Sequence, residues 1–230
     1  MDQKSYTEIL ESSPKNWGRW GEHDELGTLN FLTSQEVLGA MASVRQGKVF
    51  SLGLPIGRKE GDVVFPGRTS TIHLMVQDEG SYMSGKSEAL PGGLKYADDA
   101  VFMYLQGTTQ CDALGHAWHG DKIYNGYDSK TTIGGLSKAS IVPIAQKGIV
   151  GRGVLLDLPR YRGTKHLSKG ELVTLEDLQK TAAYQNVEIR RHDILLIRTG
   201  YITLFYDVGP DDYYRELNEP GITYSKELVE

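Results

Sequence analysis

The feature that most constrains this chain is the shortness of its apolar runs and the glycine-rich stretches that separate them. "AVFMYLQ" (100–106), "GVLLDLP" (153–159) and "DILLIRTGY" (193–201) are compact and dominated by Leu, Ile and Val. Runs this short, bounded by turn residues, predict buried strands rather than helices, which need ten or more residues. "TSTIHLMVQD" (69–78) alternates instead and places Ile72, Leu74 and Val76 on one face of a half-buried strand. "KVFSLGLPI" (48–56) is strand-like up to its Gly and Pro, and "SIVPIAQKGIV" (140–150) reads as another short buried strand. Two segments read as helices. Thr33 to Gly47 opens with Thr33 and Glu36 at capping-box spacing, carries a stripe of Val37, Leu38, Met41 and Val44, and stops at Gly47. The second starts at Thr174 and Asp177 and runs to about Tyr184. Strands outnumber helices, so the expected class is α/β: a mixed, β-rich sheet core with few helices.

Between these elements lie a polar arm (1–16) and a loop with two Trp and three Gly, "WGRWGEHDELGTLN" (17–30). A Gly- and Ser-rich excursion (80–99) and a further loop (123–140) follow. Long excursions inside a compact domain are usually lids or mobile segments. The whole chain, 1–230, reads as a single domain. Its end, "EPGITYSKELVE" (219–230), has a turn, an N-cap candidate at Thr223 or Ser225 and then the first turn of a helix. So short a helix has little length to nucleate, and the expectation is that a C-terminal segment is missing and leaves an apolar strip exposed beside residues 194–201.

Charge and composition exclude several functions. The net charge is −5 and no Lys/Arg run is present, so the footprint of a nucleic-acid binder is absent. No apolar run approaches the roughly 20 residues that span a bilayer, and the N-terminus is too polar for a signal peptide. One cysteine makes no internal disulfide. The expectation is a soluble, cytoplasmic protein whose partner is a small molecule, with no nucleic acid and no membrane.

The densest chemistry lies in "QGTTQCDALGHAWHGD" (106–121). Gln106, Gln110, Asp112 and His116 sit at even offsets, which share one face of an extended strand. Residues four apart on a flat strand are about 13 Å apart, so convergence on one cavity requires a bend, and Gly107 is placed to give it. Odd-numbered Cys111 faces the other way on such a strand and reads as a small buried hydrophobe. His119 is either an extra ligand or an exposed loop residue. His23, His73, His166 and His192 read as structural or solvated. Trp17, Trp20 and Phe65 either line an aromatic substrate pocket or cover the core from outside. Arg198 pairs with a substrate carboxylate, with Asp193 or with Asp157.

"QGTTQCDALGH" resembles the signature H-x-G-T-H-x-D-x-P-x-H of the cyclase-family metal-dependent hydrolases, which include bacterial kynurenine formamidase and isatin hydrolase. "WGRWGEHDELGTLN", "VFPGR", "KIYNGY", "RGVLLDL" and "DILLIRTGY" are similar to a subgroup of that family, so the likeness runs over nearly the whole chain. It implies a β-rich swivelling β/β/α fold, a divalent zinc or manganese ion, and hydrolysis of an amide, formamide or lactam C–N bond. By the same resemblance His116 is the general acid/base and Asp112 a metal ligand and catalytic residue. Gln106 and Gln110 fall where the family has its first two histidine ligands, Leu114 falls where it has Pro, and Phe65 matches its aromatic before Pro-Gly. Trp20 and His119 join Phe65 as candidate substrate contacts. A carboxamide is a weak ligand for a transition metal. The family's other ligands, a His and a Glu, belong to a C-terminal segment not in this chain, so the chain itself is expected to bind metal poorly or not at all. Homo-oligomers are expected by resemblance. Two rival readings stay open: an inactive relative that binds a small ligand, and a lyase or dehydratase that uses His116 as base.

Overall fold

The computed structural model describes residues 3–58 and 62–229. The helices, in chain order, are α1 (Gln3–Ser12), α2 (Ser34–Met41), α3 (Glu79–Met83), α4 (Ile141–Lys147), α5 (Leu158–Arg162), α6 (Leu175–Gln185), α7 (Tyr201–Val208), α8 (Pro210–Tyr214) and α9 (Lys226–Val229). The strands are β1 (Ile72–Gln77), β2 (Asp98–Phe102), β3 (Gly153–Asp157), β4 (Leu172–Val173), β5 (Ile194–Arg198) and β6 (Gly221–Ile222). They pair as three small sheets: β1 antiparallel to β2, β3 parallel to β5, and β4 parallel to β6. The class is mixed α/β with short helices and small sheets. The chain forms two compact units, one of residues 1–49, 111–203 and 217–230, the other of residues 50–110 and 204–216.

The first unit is organised by β3 and β5. Parallel strands need a crossover, and here α5, β4 and α6 supply it. Leu155 sits opposite Leu196 and Val154 opposite Leu195. Val154 and Leu156 point into a buried cluster with Leu158, Leu167, Val173, Leu178 and Ala182. Leu156 is fully buried, so its truncation to Ala costs about 2–5 kcal/mol. On the other face Leu155 and Leu196 are exposed, and Leu195, on the face of Val154, is also exposed, so apolar surface lies beside residues 194–201. α6 packs on β3 and starts where the sequence says it should, with the Thr174–Asp177 capping box formed and Asn186 ending it in the left-handed region. Asp157 caps α5 and takes an ion pair from Arg198 at 2.7 Å, which settles that arginine's partner. Asp193 pairs instead with Arg152, at 2.5 Å.

Two expected strands are corrected. Residues 141–147 of "SIVPIAQKGIV" form α4, not a strand. Ser140 accepts a hydrogen bond from the Val142 N–H, Pro143 sits in the first turn where its missing N–H is harmless, and Gly148 (φ 73°) stops the helix. That cap and stop outweigh the β preference of Ile-Val. "KVFSLGLPI" forms no strand, because no neighbouring strand takes up its backbone groups; Val49 is 94% exposed.

In the second unit β1 and β2 run in register from Ile72–Phe102 to Met75–Asp99, with an irregularity before Gln77. Their apolar side chains, including Ile72, Leu74, Val76 and Val101, remain exposed, so the half-buried face expected for β1 is not found among the described residues. The excursion at 80–99 is pinned rather than structureless. Asp78 caps α3, and the Tyr82 hydroxyl accepts from Gln77 Nε2 (2.6 Å) and from the Tyr96 N–H (3.1 Å). Phe205 is buried against Tyr206, Tyr213 and Tyr214, edge to face. Asp62, also buried, accepts from the backbone N–H groups of Arg58 and Thr71.

Candidate functional site

The motif 106–121 begins after β2, which ends at Phe102, four residues earlier than the strand read from the sequence. Residues 105–109 turn and bend. Gln106, Gln110, Asp112 and His116 therefore do not lie along one strand, and their even spacing does not put them on one face. Gly107 is needed where it stands: a Cβ there would lie 2.8 Å from the Tyr104 carbonyl oxygen and 3.1 Å from Val64 Cγ1. Next to it the Gln106 carbonyl accepts a hydrogen bond from the Arg68 guanidinium, and Thr109 Oγ1 accepts from the Leu54 N–H at 3.0 Å. Arg68 also lies 5.7 Å from the ring of Phe65, which is exposed. Gln106, Gln110 and Phe65 belong to the second unit; Asp112, His116, His119 and Trp20 belong to the first.

Within the first unit three glycine-rich loops lock onto one another and fix the backbone that carries His116. Gly115 is buried; its N–H donates to the Ala139 carbonyl at 2.9 Å, and His116 N donates to the Ala113 carbonyl at 2.9 Å. The Ala139 N–H in turn donates to Glu25 Oε2 at 2.7 Å. Gly27 has φ +60° and lies where a Cβ would meet Leu114 Cδ1 at 3.3 Å, so the 17–30 loop seats directly on the motif. Asn125, itself in the left-handed region, accepts from the Gly18 N–H through Oδ1 (2.7 Å) and donates through Nδ2 to the carbonyls of Gly21, Glu22 and Asp24. The Tyr124 hydroxyl donates to Asp24 Oδ2 at 2.6 Å. Burial alone would raise the Asp24 carboxyl. Hydrogen bonds from Tyr124, Asn30, Gly27 and Leu26 outweigh it and hold the carboxyl below its ordinary value. The same pair raises Tyr124, through burial first and the Asp24 carboxylate second.

The side chains that emerge from this frame are exposed: Asp112, His116 and His119 all face solvent. So does Cys111, whose Sγ lies 3.8 Å from the Asp112 carbonyl. The expected small buried hydrophobe is corrected, because the strand that would have turned it inward is not there. Trp20 is half-buried, packed edge-on against Phe31 (5.2 Å) with the Arg19 guanidinium 5.3 Å from its ring.

The donor set does not suit a transition metal. Among the described residues no three His, Cys, Asp or Glu side chains come together as a metal site. Residues 106–116 offer one carboxylate, Asp112, with two carboxamides where imidazoles would serve, and a catalytic zinc ordinarily takes three strong protein ligands.

Sequence reading missed Asp24, Glu25 and Asn125 as the residues that tie the site together. Their signal was faint: "HDELG" and "YNG" are polar residues beside glycines in loops without a period. It also read His192 as unremarkable, whereas that residue sits at φ +65°, stacked on Phe31 at 4.7 Å with its Nδ1 2.9 Å from Glu36.

Comparison with known proteins accords with this geometry. The model of the family described as "Putative cyclase" matches residues 34–230. A solved structure titled as the crystal structure of a novel cyclase is similar at 34% identity and a TM-score of 0.83; the match covers 94% of this chain and 72% of that one. No curated protein matches the sequence. With a family model that spans all but its first 33 residues and a solved relative of the same fold, the chain belongs to the cyclase family.

Proposed function

We propose that the protein hydrolyses a C–N bond (amide, formamide or lactam) in a small aromatic or cyclic molecule, with His116 moving the proton. The observation that carries this reading is the contrast within the motif. The backbone of residues 113–116 is fixed by Gly115 and Ala139, while the imidazole it presents is exposed to a ligand. A catalytic group needs a fixed base and a free end.

In this reading the His116 imidazole accepts a proton from a water molecule as that water adds to the carbonyl carbon. It then returns the proton to the leaving nitrogen as the C–N bond breaks, so one water is consumed and acid and amine are released. Asp112 supplies the negative charge of the same loop, and Trp20 and His119, which belong to the same unit, are the candidate substrate contacts. Because the residues present do not make a transition-metal site, no step is assigned to one.

Gln106 and Gln110 favour a second reading, a relative that binds a small ligand without turning it over. The two are separated by incubation with a panel of N-formyl arylamines and aromatic lactams and mass analysis of the products. Hydrolysis gives products heavier by one water in total, lost in His116→Ala. A folded wild-type protein that binds panel members and converts none supports the second reading.

A further inference from the structure

The first unit holds a second feature suited to a ligand, away from the loop that carries His116. A cavity of about 880 Å³ is lined by residues that include Lys15, Trp17, Arg19, Phe31, Arg191 and His192, and by none of residues 111–121. We propose that this cavity binds a small planar aromatic carboxylate. Its volume is in the range of small-molecule pockets, about 300–1,000 Å³.

Charge is the first argument. Lys15, Arg19 and Arg191 are three permanent cations, and among the described residues none of them has a carboxylate partner. Among the described lining residues the one carboxylate, Asp193, is already neutralised by Arg152 at 2.5 Å. The described lining therefore gathers unpaired cations, in a protein whose net charge is −5.

Preorganisation is the second. The Arg19 guanidinium lies 4.8 Å from the Phe31 ring centre and 5.3 Å from that of Trp20, and Lys15 Nζ lies 5.1 Å from the Trp17 ring. Contacts with ring faces steady these cations without neutralising them, and leave the guanidinium edge free for a planar carboxylate. Trp17 remains 38% exposed and offers apolar surface to an aromatic ring.

The third argument is independent of charge. His192 holds a left-handed backbone (φ +65°) that a β-carbon disfavours. It is kept there by a near-parallel stack on Phe31 (4.7 Å, 10°) and by Glu36. Strain at a non-glycine residue concentrates where geometry serves a ligand. Here it sets His192 in the cavity lining with Lys15, Arg19 and Arg191.

The test uses 2-naphthoate as probe, read by calorimetry and by quenching of tryptophan fluorescence, with neutral 2-naphthamide as its uncharged counterpart. Wild type should bind the carboxylate saturably with a dissociation constant below about 1 mM. The amide should bind at least about tenfold more weakly, as expected for loss of a charge-assisted contact. Arg191→Gln and Arg19→Gln should each weaken the carboxylate by a similar factor, while His116→Ala should leave it unchanged. Arg191 is exposed, so that variant decides the matter if Arg19→Gln unfolds. Equal binding of amide and carboxylate, no loss in Arg191→Gln, or no saturable binding at all would each overturn the proposal. Loss of binding in a folded His116→Ala would place the probe at the loop site instead and overturn it as well.

Discussion

Gly115→Ala is the sharpest probe of the frame that carries His116. Gly115 is buried and has no positive φ, so the cost of a methyl group there comes from space alone. A Cβ would lie 2.9 Å from Leu136 Cδ1, 3.2 Å from Ile123 Cδ1 and 3.3 Å from the Ala139 carbonyl oxygen. Leu136 is half-buried and can swing away, but Ile123 is 1% exposed and the Ala139 carbonyl is held by the Gly115 N–H itself. Two of three neighbours cannot yield, which puts the cost in the overpacking range of about 1–3 kcal/mol. The chain's three tryptophans (17, 20 and 118) all belong to the first unit, so urea unfolding followed by tryptophan fluorescence reports on that unit alone. With a slope of about 2–3 kcal/mol per molar urea, the midpoint should fall by about 0.3–1.5 M. Gly39→Ala is the control. It lies in α2, its Cβ meets nothing within 4 Å, and helix propensity should raise stability by about 0.5–1 kcal/mol. A Gly115→Ala midpoint equal to or above wild type would refute the packing argument.

Three further outcomes follow from the same structure. Asn125→Gly keeps the left-handed backbone but removes the four hydrogen bonds to residues 18–24; it should cost about 1–3 kcal/mol and open that loop to limited proteolysis, and unchanged cleavage would show that the loop is held elsewhere. Hydrogen bonds from Thr33 first and His192 second pull the Glu36 carboxyl from its ordinary value down to about 2. A carboxyl lowered on folding contributes fully above the unfolded value and loses the contribution as pH falls toward the folded one, so the Tm gap between wild type and Glu36→Gln should be present at neutral pH and close between about pH 4.5 and 2; a gap independent of pH would contradict it. Titration calorimetry with zinc or manganese should show no stoichiometric micromolar binding to the 230-residue chain, because among the described residues no three His, Cys, Asp or Glu side chains come together and Asp112 is the only carboxylate of residues 106–116; tight binding would mean that the carboxamides or His119 ligate.

Much of the frame was legible where a local rule decides the structure. The caps at Thr33 and Thr174 start α2 and α6 as expected, because one side chain three residues from another settles a helix start. β3 and β5 were readable from short Leu/Ile/Val runs. Reading failed where the deciding partner is distant in sequence. "KVFSLGLPI" has strand composition and no strand beside it, and the run after Phe102 turns at Gly107, where a Cβ would strike Tyr104 and Val64. The residues of the motif were identifiable by type, but their setting rests on Asp24, Glu25 and Asn125. All three bind groups about a hundred residues away, and no period marks them. His192 was passed over for the same reason: its partners, Phe31 and Glu36, lie in a different part of the chain.

The central claim is that His116 drives addition of water across a C–N bond. Turnover of an aromatic formamide or lactam in water enriched in oxygen-18 tests it most directly. The account predicts one labelled oxygen in the carboxylate product, no product from a folded His116→Ala variant, and the same binding of substrate by both proteins. Unlabelled product formed by loss of water, or full labelling by the His116→Ala variant, would contradict it.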